Sequence, residues 1–165
     1  MEDIPFARYQ SKYFAYELTK RYPPDSVEKL TGAVASAQVD AALFAFQSPL
    51  SKGALLADEV GLGKTIEAGL VLSQKWAERR RRILIITPSN LRKQWFQELA
   101  EKFFLPCRIL EAKSYNTALK QGQLRPFEAP EIVICSYQFA KSKAGEVQAI
   151  AWDLVVIDEA HRLRN

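Results

Sequence analysis

Cysteine is scarce. The 165 residues hold two, Cys107 and Cys135, far apart, in apolar runs and without metal-ligand spacing. That argues against a disulfide framework and a cysteine-ligated zinc site, and reads as two buried free thiols in a reducing compartment. Excess charge of one sign is also small: 23 Lys and Arg against 19 Asp and Glu, a net charge of +4. Such a balance is compatible with a nucleic-acid partner but too weak to argue for one. No signal-peptide pattern appears and no apolar run is long enough to span a bilayer, so the expected location is cytoplasmic. Internal repeats and low-complexity segments are missing too. What remains is ordinary globular material, 48% hydrophobic and 25% charged, long enough for one domain with a real core.

The chain is organised around Ala54–Gly69, ALLADEVGLGKTIEAG. A short apolar run meets an acidic, glycine-bearing turn, and Gly63-Lys64-Thr65 then opens an apolar-periodic helix. This is the layout of a phosphate-binding loop. Gly61 and Gly63 let backbone N–H groups converge on an anion without a Cβ in the way. The helix start adds unpaired N–H groups and its positive dipole end. Lys64 would reach the β- and γ-phosphates, and the Thr65 hydroxyl would sit on Mg²⁺. The strict pattern asks for glycine at position 58, where this chain has Asp58.

Leu154–Asn165, LVVIDEAHRLRN, supplies the counterpart. A buried strand delivering two adjacent carboxylates at its C-terminal edge is where an open α/β sheet binds ligand. Asp158 would share the Mg²⁺ with Thr65, and Glu159 would polarise the attacking water. His161, the single histidine, would couple the site to its surroundings. The competing reading of Asp158-Glu159 is an ordinary helix N-terminus, where carboxylates are favoured anyway.

DEVGLGKTIEAG together with DEAHRLRN resembles the Swi/Snf-type ATPases of helicase superfamily two, in the RapA/HepA-like branch. In that family the glycine loop usually begins Asp-Glu, which accounts for Asp58. The resemblance covers about Gln38 to Asn165 and implies that Asp58, Glu59, Val60, Gly61, Leu62, Gly63, Lys64 and Thr65 hold ATP. It also implies that Gln38, 23 residues before Gly61, reads the adenine edge. ITPSNLRKQWFQEL resembles the family's second segment, whose strand-to-helix turn touches a phosphate backbone. Ser89, Asn90, Arg92 and Lys93 are its candidate nucleic-acid contacts. Ser136, after the strand IVICSY, is a further one.

The remaining pattern frames these motifs. Residues 1–32 read as a helical extension, with Pro23-Pro24 stopping an aromatic-rich helix. Ala33–Phe46 reads as a helix, and 33–165 as the first part of the ATP-binding lobe. After a helix over Lys64–Ala77, the run Glu78–Arg82 reads as a solvated helix end rather than a nucleic-acid patch. Ile83–Thr87 reads as a buried strand, and Leu91–Phe103 as a helix capped by Ser89 or Asn90 with Trp95 in the core. Pro106–Glu111 and Ile132–Tyr137 read as strands, Lys113–Pro130 as polar loop, and Lys141–Ile150 as short helix or loop. Apolar runs alternating with amphipathic helices predict α/β with a mainly parallel sheet and helices on both faces, a RecA-like lobe.

The residues argue for ATP and Mg²⁺. The resemblance implies that hydrolysis drives translocation on double-stranded DNA, displacing or remodelling a bound protein such as RNA polymerase. A strand-separating helicase, a restriction or phage-defence motor, and a nucleotide-responsive binding module without motor action remain alternatives. The chain stops four residues after His161. The resemblance implies that a further central strand and a second RecA-like lobe, with an arginine for the γ-phosphate, lie beyond. The polypeptide alone is therefore expected not to turn over ATP.

Overall fold

The computed structural model describes residues 64–160. The expected helices before position 47 and the phosphate-loop strand at Ala54–Ala57 lie outside the described residues.

The elements are α1 (Lys64–Ala77), β1 (Ile83–Thr87), α2 (Arg92–Phe103), β2 (Cys107–Ile109), α3 (Ala112–Lys120), a 3-10 turn (Pro126–Glu128), β3 (Ile132–Ser136), α4 (Tyr137–Ser142), α5 (Ala144–Ala149) and β4 (Leu154–Ile157). Among the described residues the strands form one sheet in the order β2–β3–β1–β4, and every pairing is parallel. Parallel neighbours need crossover connections, which the intervening helices provide.

Strand side chains alternate between faces, so each inner strand feeds two cores. Ile83 and Ile85 of β1, with Ile132 and Ile134 of β3, meet Ala68 and Leu72 of α1 and Trp95 and Leu99 of α2. Leu84, Val133 and Cys135 point the other way, where Leu110, Tyr115 of α3, Phe127, Ala129 and Ala140 of α4 complete a second core. Burial on both faces is what lets ILIIT and IVICS be apolar at every position but the last. β4 differs from its expectation as a fully buried strand, since Val155 and Ile157 are each 40% exposed.

Two local expectations are corrected. Lys113–Pro130 is not all loop, because α3 occupies its first part. Its start is a capping box with the usual roles exchanged, in which the Glu111 N–H donates to Ser114 Oγ at 2.9 Å. Tyr115 and Ala118, three apart, then bury one helical stripe. Nor does Ser89 or Asn90 cap α2. Leu91 takes the cap position in right-handed helical backbone without a side-chain cap bond, and its N–H donates to the Pro88 carbonyl at 3.0 Å. The chain thus winds through a turn straight into the helix, and a capping side chain has no extended residue to act from.

Arg79–Arg82 is exposed as expected, with the Arg81 guanidinium 4.1 Å from the centre of the Trp76 ring. Asp153 ties the strand starts together. Its carboxylate accepts from the Arg82 N–H at 3.0 Å, and its own N–H donates to the Arg82 carbonyl at 2.8 Å.

Candidate functional site

The pairing register lines polar residues along the C-terminal edge of the sheet. Thr87 ends β1 opposite Ser136, which ends β3. On the other side Ile86 pairs with Ile157, and the next N–H, that of Asp158, donates to the Ile86 carbonyl at 2.9 Å. Thr87, Ser136 and Asp158 therefore stand in one row at the edge where open parallel sheets bind ligands.

Thr87 shares a strand face with Ile83 and Ile85, so its side chain lies on the α2 side. It is fully buried, and a buried hydroxyl needs a partner. That partner is Asp158, whose Oδ2 accepts from Thr87 Oγ1 at 2.9 Å. The same oxygen accepts from the Trp95 indole N–H at 2.9 Å. The Asp158 carbonyl in turn accepts from the Tyr137 hydroxyl. Trp95 is a core residue, as its apolar pattern predicts, and also a hydrogen-bond donor to the site. The sequence signals that each needs a partner, as one polar residue closing a buried strand and one indole N–H on a buried helix face, but not that the partner is Asp158.

Glu159 is exposed and sits in left-handed backbone, with φ 55°. That conformation is uncommon for a residue with a Cβ and recurs at functional sites. Lys64 opens α1 and Thr65 is half-buried in its first turn. Gln38, Asp58, Glu59, Val60, Gly61, Leu62, Gly63 and His161 lie outside the described residues.

The candidate nucleic-acid residues separate into two kinds. Ser89, Asn90 and Lys93 are exposed. Arg92 is turned inward, its Nη1 donating to Glu111 Oε2 at 2.8 Å and its Nε to the Ser89 carbonyl at 3.1 Å. Ser136 is 7% exposed, and its Oγ accepts from the Phe139 N–H as the cap of α4.

The thiols carry no site chemistry. Burial, with a smaller push from the Glu131 charge, raises Cys107 to about 12. Burial raises Cys135 to about 12 against an opposing pull from Arg92. Both are free.

Asp158 suits a hard divalent cation. A carboxylate oxygen at the sheet edge is the donor type Mg²⁺ takes, and among the described residues both hydrogen bonds fall on Oδ2 and none on Oδ1.

Comparison with known proteins gives the family and the fold. The family described as SNF2-related domain matches residues 11–165. The chain belongs to the SNF2-related family. It is 43% identical over 113 residues to the RNA polymerase-associated protein RapA of Yersinia enterocolitica, covering 66% of this chain and 12% of that protein. The RapA of Serratia proteamaculans matches with the same identity and coverage. The chain thus spans about an eighth of the curated relatives it matches. Its fold is similar to the SWI2/SNF2 ATPase core of Sulfolobus solfataricus in complex with dsDNA, with a TM-score of 0.65 and 24% identity, over 79% of this chain and 26% of that one. This SNF2-related chain is therefore an α/β, RecA-like lobe of the Swi/Snf type, as its motifs predict.

Proposed function

We propose that this chain is the ATP-binding part of a DNA-dependent translocase that displaces or remodels protein bound to double-stranded DNA. The observation carrying this reading is the Asp158 carboxylate at the C-terminal edge of a parallel sheet, in a chain whose family and phosphate-loop motif both point to ATP. In this reading Asp58–Thr65 cradles the phosphates, Lys64 reaches the β- and γ-phosphates, and Gln38 reads the adenine. Thr65 and Asp158 hold Mg²⁺, which when bound shields phosphate charge and polarises the γ-phosphoryl group. Glu159 orients the attacking water, and His161 links the site to the rest of the motor. Ser89, Asn90 and Lys93 face the DNA backbone, while Arg92 and Ser136 hold the two turns behind them. A second RecA-like lobe supplies the remaining groups. Relatives named RNA polymerase-associated proteins support a cytoplasmic role, with a polymerase on DNA as a candidate partner.

The test is ATPase activity of the full-length protein with and without duplex DNA. Duplex-stimulated turnover that Lys64→Ala abolishes is expected. Glu159→Gln should bind nucleotide but stall hydrolysis, because it keeps the shape and removes the charge that orients water. Wild-type turnover in Lys64→Ala would overturn the assignment. Binding without any turnover would make the protein a nucleotide-responsive module. A strand-displacement assay separates translocase from helicase, and no unwinding is expected.

A further inference from the structure

Asp158 is held by neutral donors. Asp153, at the opposite end of β4, lies beside Arg80 and Arg82 at 3.7 and 3.8 Å, and Glu111 pairs with Arg92 at 2.8 Å. Asp158 instead receives a threonine hydroxyl and an indole N–H, both on Oδ2 and both at 2.9 Å. A carboxylate oxygen has two in-plane lone pairs, so two donors saturate it. Their hydrogens point at Oδ2 and leave no approach there for a cation. Oδ1 carries neither bond. The carboxylate is thereby oriented without being neutralised, and its charge stays available to a cation.

The main chain is fixed as well, by the Asp158 N–H to the Ile86 carbonyl and by the Tyr137 hydroxyl to the Asp158 carbonyl. Trp95 sets the direction most firmly. An indole N–H only donates, and Trp95 is 4% exposed, so turning the carboxylate away would strand a buried donor. Thr87, fully buried at the end of β1, is fixed from the other side.

We propose that Trp95 and Thr87 are positioning residues that hold the Asp158 carboxylate by Oδ2 and leave Oδ1 as the oxygen that takes the divalent cation bound with the nucleotide. The proposal rests on the reading of Asp158 as a metal ligand, and the test separates the two. In the full-length protein, binding of a fluorescent ADP analogue is titrated against Mg²⁺, with binding in EDTA as the metal-free reference. The variants are Trp95→Phe, which keeps a ring and removes the N–H, Thr87→Val, which keeps the shape and removes the hydroxyl, Thr87→Ser, which restores it, and Asp158→Ala. Loss of an outer partner of a metal ligand costs about 10–100-fold in metal affinity. Trp95→Phe and Thr87→Val are each expected to raise the Mg²⁺ midpoint about 10-fold with metal-free binding unchanged. Thr87→Ser is expected to stay near wild type. If Asp158→Ala shifts the midpoint and the other two do not, the positioning role is overturned while the metal reading stands. If Asp158→Ala shifts nothing, the metal reading fails and the proposal with it. Equal losses with and without Mg²⁺ indicate a structural role and also overturn it. Should Trp95→Phe fail to fold, Thr87→Val and its serine rescue decide the question.

Discussion

Gly69 of α1 lies directly against the ring of Phe103 on α2, so closely that a Cβ at this position would stand 2.2 Å from Phe103 Cε2. The absent side chain is what lets the two helices share one core with Leu72 and Leu99. Gly69→Ala gains about 1 kcal/mol of helix propensity and is opposed by overpacking of about 1–3 kcal/mol. The Phe103 ring is half-buried and packs against that core. The expected outcome is a net loss of about 1 kcal/mol, read as faster hydrogen exchange in α1 and α2. Gly69→Ala with Phe103→Leu should restore most of the protection.

Glu111 serves two partners at once, the N-terminus of α3 through the Ser114 capping box and Arg92 at 2.8 Å. Glu111→Ala is therefore expected to destabilise α3 by about 1–2 kcal/mol, the upper part of a cap's range. Ser114→Ala should cost about half as much, since it leaves the ion pair. Amide exchange along 112–120 measures both, and equal effects would show that the ion pair contributes nothing.

Arg92 and Lys93 are neighbours with different expected phenotypes. Lys93→Ala should weaken duplex binding of the full-length protein uniformly across sequences and lower the salt slope by about 1. Arg92→Ala should instead loosen the α2–α3 junction and leave the slope close to wild type, because its guanidinium is spent on Glu111 and the Ser89 carbonyl. Affinity measured across a salt series distinguishes them.

Both thiols should resist alkylation in the native protein. Raising a thiol from the ordinary 9.0 to about 12 cuts its thiolate at pH 8 from roughly one in ten to roughly one in ten thousand. The proton is held more tightly in the folded state, so native reactivity should keep climbing through pH 9 to 11 without levelling off. In urea the rate should level off near pH 9. Mass-resolved iodoacetamide labelling of Cys107 and Cys135 follows each site, and a native plateau near pH 9 would contradict the assignment.

Much of this was legible in the sequence where one signal dominated. Lys64–Ala77 has helical periodicity and Ile83–Thr87 an unbroken apolar run, and both elements have the expected bounds. The helix over Leu91–Phe103 shows in its periodicity, but its cap does not, because a turn already in helical backbone leaves Ser89 and Asn90 no role as caps. α3 is hidden in the sequence because the polar residues Lys113, Ser114, Asn116 and Thr117 outnumber its buried stripe, and its capping box runs in reverse. At the site, the position of Asp158 followed from the strand-end pattern. Its partners did not, because a contact between Trp95 and Asp158 depends on which strands lie side by side, and periodicity along one segment carries no such information.

Thr87, Trp95 and Tyr137 precede Asp158 by 71, 63 and 21 residues. During synthesis all three partners are therefore made before the residue they hold. At ordinary elongation rates Trp95 leaves the ribosome roughly 3–13 s ahead of Asp158, long compared with the closing of a loop. The socket comes first and the carboxylate arrives into it. Until β4 docks beside β1, the indole N–H has no Asp158 to donate to, so the last strand of the described sheet is also the one that completes its polar satisfaction.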